Sequence, residues 1–359
     1  GGRVIRLTGQ RQGLDGKISI QQARWVFRWR DFRLLLCDQK LRSEKYTNMN
    51  INQIWESFSE RMSEIELFQR AAKDSANKEL RLMNEYASSL KDDQELKEMP
   101  SSIHNMTFND ARTGNTRSYN RTERSYEERS LHILLHKNKQ YQWLLAEAYE
   151  EFEDFLENAY AFYGSINNSF WPLRDYGSIS LSELSEKDYE WHVEQARKKK
   201  DIPHSILNRF RKQFPELKVI ETKNELKTNL SLAITLIGKL RHIIVHKGGQ
   251  VDSKDDFIKI VTQQSGLYNN GNIAQENLDF INEFFGENEY SNLITILEVR
   301  VRPEIPLDIH VSLFGGLTNF LMAYAFLIYE YIEKNTCAGR NSIGKGGSPK
   351  RIRMHCSDG

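Results

Sequence analysis

The stretch KNELKTNLSLAITLIGKLRHIIVHKGG, residues Lys223 to Gly249, decides the fold class. Its apolar positions Leu226, Leu230, Ala233, Ile237, Leu240 and Ile244 recur at steps of 4, 3, 4, 3 and 4. Leu232, Leu236 and Ile243 widen the stripe. That period puts the residues on one face of a helix, and a face so broad must be covered on several sides. Gly248 and Gly249 then stop the helix, because glycine accepts the left-handed backbone that ends one.

The same period recurs on either side. Ile51, Trp55, Phe58, Met62, Ile65 and Phe68 mark a first long helix running from Ile51 to about Leu96. A second is expected from about Ser130 to Tyr163, with Trp143, Leu144, Ala148, Phe152, Phe155, Leu156, Ala159 and Phe162 facing inward. Its acidic run Glu147, Glu150, Glu151, Glu153, Asp154 and Glu157 reads as a solvated face, from which one unspecified carboxylate is a candidate to reach the end of the 223–249 helix. Shorter helices are expected near 182–200 and 274–285. Residues 99–128, polar and rich in Asn, Ser, Thr and Arg, read as a loop. Alternation of Ile294 and Ile296 and then Val299 and Val301 suggests a short strand or hairpin.

The last element, Leu307 to Glu333, contains 17 uncharged residues in LFGGLTNFLMAYAFLIY. A membrane span needs about 20 mainly apolar residues, and this run holds two glycines, a threonine and an asparagine. It reads as a buried core or dimer-interface helix, with no membrane expected. The whole is expected to be all-α, an up-and-down bundle of long helices with a short β-hairpin insertion. Four segments are expected: a basic extension, disordered or non-native, at 1–48; a helical segment with its polar insertion at 49–128; the main helical domain at 129–335; and a basic disordered tail at 336–359.

Charge follows that division. The net +1 conceals +7 in residues 1–48 and +4 in residues 336–359, leaving −10 for the body. An acidic body argues against broad nonspecific duplex binding, which needs many Lys and Arg on phosphates, but it allows a local anion site. Cys37, Cys337 and Cys356 all lie in the basic ends, so the body offers neither a disulfide framework nor a Cys-rich zinc site. A reducing, cytoplasmic setting is expected.

Chemistry concentrates in RHIIVHKGG. Arg-x(4–6)-His is a weak signal by spacing, and Arg129 to His136 and Arg197 to His204 match it too. Only Arg241 to His246 combines a helix C-terminus, an apolar face and a glycine stop. Carbonyl dipoles there favour positive charge, and imidazole is the side chain that ordinarily exchanges protons near neutrality. Arg241 offers a planar fork for two phosphate oxygens. Five residues apart is about 140° of helix rotation, so the fraying last turn must bring Arg241 and His246 together.

RHIIVHKGG at the end of a long buried helix, followed by the acidic turn QVDSKDD, resembles the HEPN superfamily over about residues 130–334. The resemblance implies a helical bundle that forms a homodimer with two such motifs beside a shared cleft. It implies a metal-independent endoribonuclease of the kind found in toxin–antitoxin and antiphage systems, with RNA as substrate, an antitoxin or defence-system partner protein, and no cofactor. By position Arg241 and His246 would be the catalytic pair. His242 would fill the polar slot that is often Asn or Asp in the family, and with Lys247 it would support the phosphate.

Two other readings compete. In a noncatalytic module Arg241, His242 and Lys247 hold a nucleotide or an acidic protein segment. In a metal hydrolase His242 and His246, four apart, are zinc ligands, although IIV between them supplies no glutamate and only Asp252 or Asp255 could fold back as a third ligand.

Overall fold

A computed structural model of the chain describes residues 50–89, 100–199, 202–269, 272–300 and 309–343. The expected basic extension, the 90–96 end of the expected first helix, most of the expected tail and Val301 lie outside them. The chain is mainly helical.

Four long helices carry the core: α1 (Ile51–Ser89), α2 (Tyr126–Ile166), α7 (Leu230–Lys247) and α10 (Leu313–Ile343). Between α2 and α7 come the short helices α3 (Leu181–Leu184), α4 (Tyr189–Arg197), α5 (His204–Gln213) and α6 (Pro215–Thr222). After α7 come α8 (Lys254–Gln264) and α9 (Gln275–Asn282). Helix α2 is central and packs against α1, α4, α7 and α10. It starts at a capping box, in which the Ser125 hydroxyl accepts from the Glu128 amide and the Glu128 carboxylate accepts from the Ser125 amide.

The interior is aromatic. Tyr141, Phe152, Tyr160, Phe170, Phe210, Phe314 and Tyr324 are fully enclosed, and Trp55 and Phe58 of α1 meet Phe155 of α2. Helix α10 is long and apolar enough to cross a membrane by length and composition alone. Here it buries Phe314, Leu317, Leu321, Tyr324, Ala325, Ile328 and Ile332 in this core.

Several expectations need correction. Within the expected 99–128 loop, residues 102–124 form a β-hairpin, β1 (Ser102–Asn109) paired antiparallel with β2 (Thr116–Arg124), and 126–128 already belong to α2. Asp110 builds its turn, accepting from the amides of Arg112, Thr113 and Gly114. Helix α7 begins at Leu230, where the Asn229 side chain caps the Leu232 amide, so Leu226 lies outside it and is exposed.

Phe68 and Trp143 point outward at 65% and 61% exposure. The inward row of α1 runs through Ile65, the buried Gln69 and Ala76, one position past Phe68. That of α2 runs through Tyr141, Leu145, Ala148 and Phe152, off to one side of Trp143. Two acids of the supposed solvated face, Glu151 and Glu157, are buried and paired with Arg61 and Arg197 at 3.3 and 3.7 Å. The expected strand near 299 is present as β3 (Glu298–Arg300), paired with β4 (His310–Ser312). Helix α10 continues past the expected end at Glu333.

Candidate functional site

Helix α7 runs antiparallel to α2, with Gly238 against Tyr149, Arg241 against Glu150 and Gly249 against Gln142. Leu236, Ile237, Leu240 and Ile244 are buried, which fixes the angular position of every other side chain on the last two turns. Those turns carry Arg241, His242, His246 and Lys247.

The helix stops as its sequence dictates. Gly248 and Gly249 have φ of +65° and +89°, and both amides turn back to the carbonyl of Ile243. A side chain at Gly249 would stand 2.5 Å from the Gln142 amide oxygen. The exit strand is clamped as well. The Val251 amide donates to Asn292 O at 2.9 Å and the Ile294 amide to Gly249 O at 2.9 Å, while Gln142 and Asn138 of α2 both donate to Ile294 O. Lys139 donates to Gly248 O at 2.8 Å, placing an ammonium on the carbonyl end of α7, and burial lowers its pKa. These clamping residues carry no sequence signal of their own. Lys139 and Gln142 look like surface residues of a charged helix until the turn is seen lying on them.

His242 and His246 come together. Their rings lie 4.6 Å apart, centre to centre, on the exposed side of the helix. Burial lowers the pKa of His242 first, and the nearby His246, Lys239, Arg241 and Lys247 lower it further. For this imidazole burial and the surrounding positive charge together outweigh the carbonyl dipoles. Lys247 pairs with Asp252 at the surface, its ammonium partly exposed.

Arg241 points elsewhere. Its Nη2 donates to Glu150 Oε1 at 2.7 Å across the α2 boundary, and its Nε, screened from solvent, has no acceptor. The imidazole pair and the guanidinium thus occupy adjacent sides of one helix end without a mutual hydrogen bond among the described residues. The candidate carboxylate anticipated on α2 is Glu150, and Glu153 stands behind it. Burial raises the Glu153 carboxyl to about 7, with Glu157, Glu150 and Asp154 pushing the same way and Arg241 opposing. Sequence spacing had no means of choosing these two from six acids, because the choice depends on how α7 is rotated against α2.

For the metal reading, no group of three His, Cys, Asp or Glu side chains gathers to ligand distance among the described residues. Asp252 is turned to Lys247 instead of to the histidines. Compared with known proteins, the chain matches no family model, no curated protein and no solved structure.

Proposed function

We propose that the chain is a metal-independent endoribonuclease acting through the Arg241–His242–His246 helix end, in a toxin or phage-defence role in the cytoplasm. What carries the reading is the imidazole pair: two exposed histidines within 4.6 Å at a capped helix end. Two imidazoles this close can act on one phosphodiester, one taking a proton while the other gives one.

In the reaction, the neutral imidazole takes the proton of a ribose 2′-hydroxyl. The 2′-oxygen bonds to the adjacent phosphorus, the bond from phosphorus to the 5′-oxygen breaks, and the leaving oxygen takes a proton from the second imidazole. His246 is the catalytic histidine of the motif, with His242 its proton-exchange partner. Arg241 stabilises charge on the crowded phosphate and Lys247 supports it from the next turn. The products are a 2′,3′-cyclic phosphate and a 5′-hydroxyl. An up-and-down helical bundle that pairs two copies about this helix end would set the second copy's imidazoles across the same cleft.

The engagement of Arg241 by Glu150 favours a second reading, a noncatalytic module in which the helix end holds a nucleotide or an acidic partner segment. One assay separates the two. Wild type, His246→Ala and Arg241→Ala, each shown to be folded, are incubated with mixed single-stranded and structured RNA in EDTA. The expected result is cleavage by wild type with cyclic-phosphate ends, lowered about 10²-fold or more in both variants, and none on DNA. Folded wild type that cuts no RNA, or that cuts DNA, overturns the ribonuclease reading.

A further inference from the structure

The β1–β2 hairpin lies between α1 and α2 in the chain, and near it these helices pack a small cluster of Ala76, Met83 and Ile133 with Leu80 and Tyr126 against it. Tyr126 of α2 reaches Asn84 and Arg129 reaches Glu79, so the two helices run on side by side to the hairpin. Nearly every hairpin residue is exposed on both faces. A two-stranded ribbon in that state is marginal by itself.

Its two faces differ. On one, Asn105 and Thr107 stand opposite Arg121 and Ser118, and the charge of Arg121 is spent on Glu123 at 2.5 Å. On the other, His104, Met106 and Phe108 stand opposite Thr122, Asn120 and Arg117, and Arg124 stands opposite Ser102. The ladder slips beside Met106, and Tyr119 swings to within 6.3 Å of Phe108, ring to ring. Phe108 and Tyr119 are 52% and 66% exposed, and no acid occurs among the paired residues of this face. The only hairpin acid near it, Asp110 in the turn, is shared between Arg112 at 3.2 Å and Arg117 at 3.8 Å, so Arg117 is held more loosely than Arg121.

We infer that this face, centred on Phe108, Tyr119 and Arg117, is a platform for single-stranded RNA, which it delivers to the α7 helix end. Exposed aromatic rings beside arginines and amides take unstacked bases and their phosphates. Charge complementarity points the same way, since residues 100–125 hold four arginines and two acids within a body of net −10. Placement fits too. Lys139, which holds Gly248, is 13 residues along α2 from Tyr126, about 20 Å. The hairpin adds roughly 26 Å at the same end of that helix. The inference rests on the reading of the chain as an RNA-acting protein.

The test uses the full chain carrying His246→Ala, so that RNA stays intact, and follows the anisotropy of a fluorescein-labelled single-stranded RNA of mixed sequence. Phe108→Ala with Tyr119→Ala should weaken binding by about tenfold or more. Arg117→Ala should weaken it and flatten its salt dependence. Arg121→Ala, the same charge loss on the opposite face, should leave it unchanged. Equal losses from Arg117→Ala and Arg121→Ala, or none from any variant, overturn the platform; both single variants lie on the surface and keep the test valid if the aromatic double variant misfolds. Unchanged RNA binding with a shift from dimer to monomer in sedimentation would assign the face to a second copy of the chain instead. RNA bound through the hairpin but never cut by wild type defeats the nuclease reading alone. RNA cut and bound equally well by the hairpin variants defeats the platform alone.

Discussion

Two arginines on neighbouring helices face glutamates, and they are not alike. Arg211 of α5 is almost enclosed and spends every arm of its fork: on Glu221 at 2.7 Å, on Asn208 at 2.9 Å and on Ser231 at 3.2 Å. Tyr324 of α10 closes the cluster by donating to the same Glu221 carboxylate. Arg241 of α7 is about a quarter exposed, spends one nitrogen on Glu150 and leaves Nε without a partner. A guanidinium with every nitrogen engaged in the interior is an internal strut, whereas one a quarter exposed with a single nitrogen engaged has capacity left for an anion.

The largest effect expected from this contrast belongs to the strut. Removing one partner of a buried ion pair strands the other charge, at a cost of about 3–5 kcal/mol. Glu221→Ala is therefore expected to lower unfolding stability by that amount in urea, and the loss should shrink when Arg211→Met and Tyr324→Phe are added. A loss below about 1 kcal/mol would show that the cluster is no more a strut than the surface pair.

The second test bears on how fully the charge of Arg241 is cancelled. The Glu153 carboxyl, raised by burial to about 7 from its ordinary 4.5, is only partly ionised near neutral pH, so it neutralises Arg241 less than its position suggests. A carboxyl with a raised folded pKa lends stability that is complete below about pH 4.5 and is lost as pH rises through about 7. Glu153→Gln cannot ionise. It is expected to gain on wild type between pH 5 and pH 8 by about 1–2 kcal/mol, allowing for solvent around a half-buried group. Parallel stability curves for the two proteins would place a fully ionised carboxylate beside Arg241 and close the gap between the two arginines.

How much of this was legible follows from where each piece of information resides. The apolar rows of α7 and α10 carry their own burial, and the glycine pair its own stop, so these elements could be read directly from residue order. The rotation of α7 against α2 is a property of two rows meeting, and only it selects Glu150 and Glu153 from the acidic run. Phe68 and Trp143 mislead because each lies one or two positions from a true inward row. In α1 that row passes through Gln69, a polar residue that a hydrophobic count skips. The hairpin escapes for another reason: with both faces in solvent its polar–apolar alternation is short, limited to NMTFN, and its other marks were the turn at Asp110–Gly114 and the β-branched and aromatic residues of TRSYNRT.

The smallest expected stability effect is the most discriminating. Glu150→Gln removes the carboxylate from a partly exposed pair, and such pairs contribute about 0–1 kcal/mol, so folding should hardly change. Function should change in two opposite directions. Loss of a negative charge beside the anion position should draw RNA in more tightly, lowering KM a few-fold, because a phosphate no longer competes with Glu150 for the same guanidinium nitrogen. Loss of the bond that orients the fork should lower kcat, because a charge that wanders stabilises the transition state less than one already aimed. A fall in KM together with kcat is the signature of a positioning carboxylate. If Glu150→Gln instead costs as much stability as Glu221→Ala and leaves KM and kcat alone, Arg241 is a second strut, and the work at this helix end falls to the two histidines.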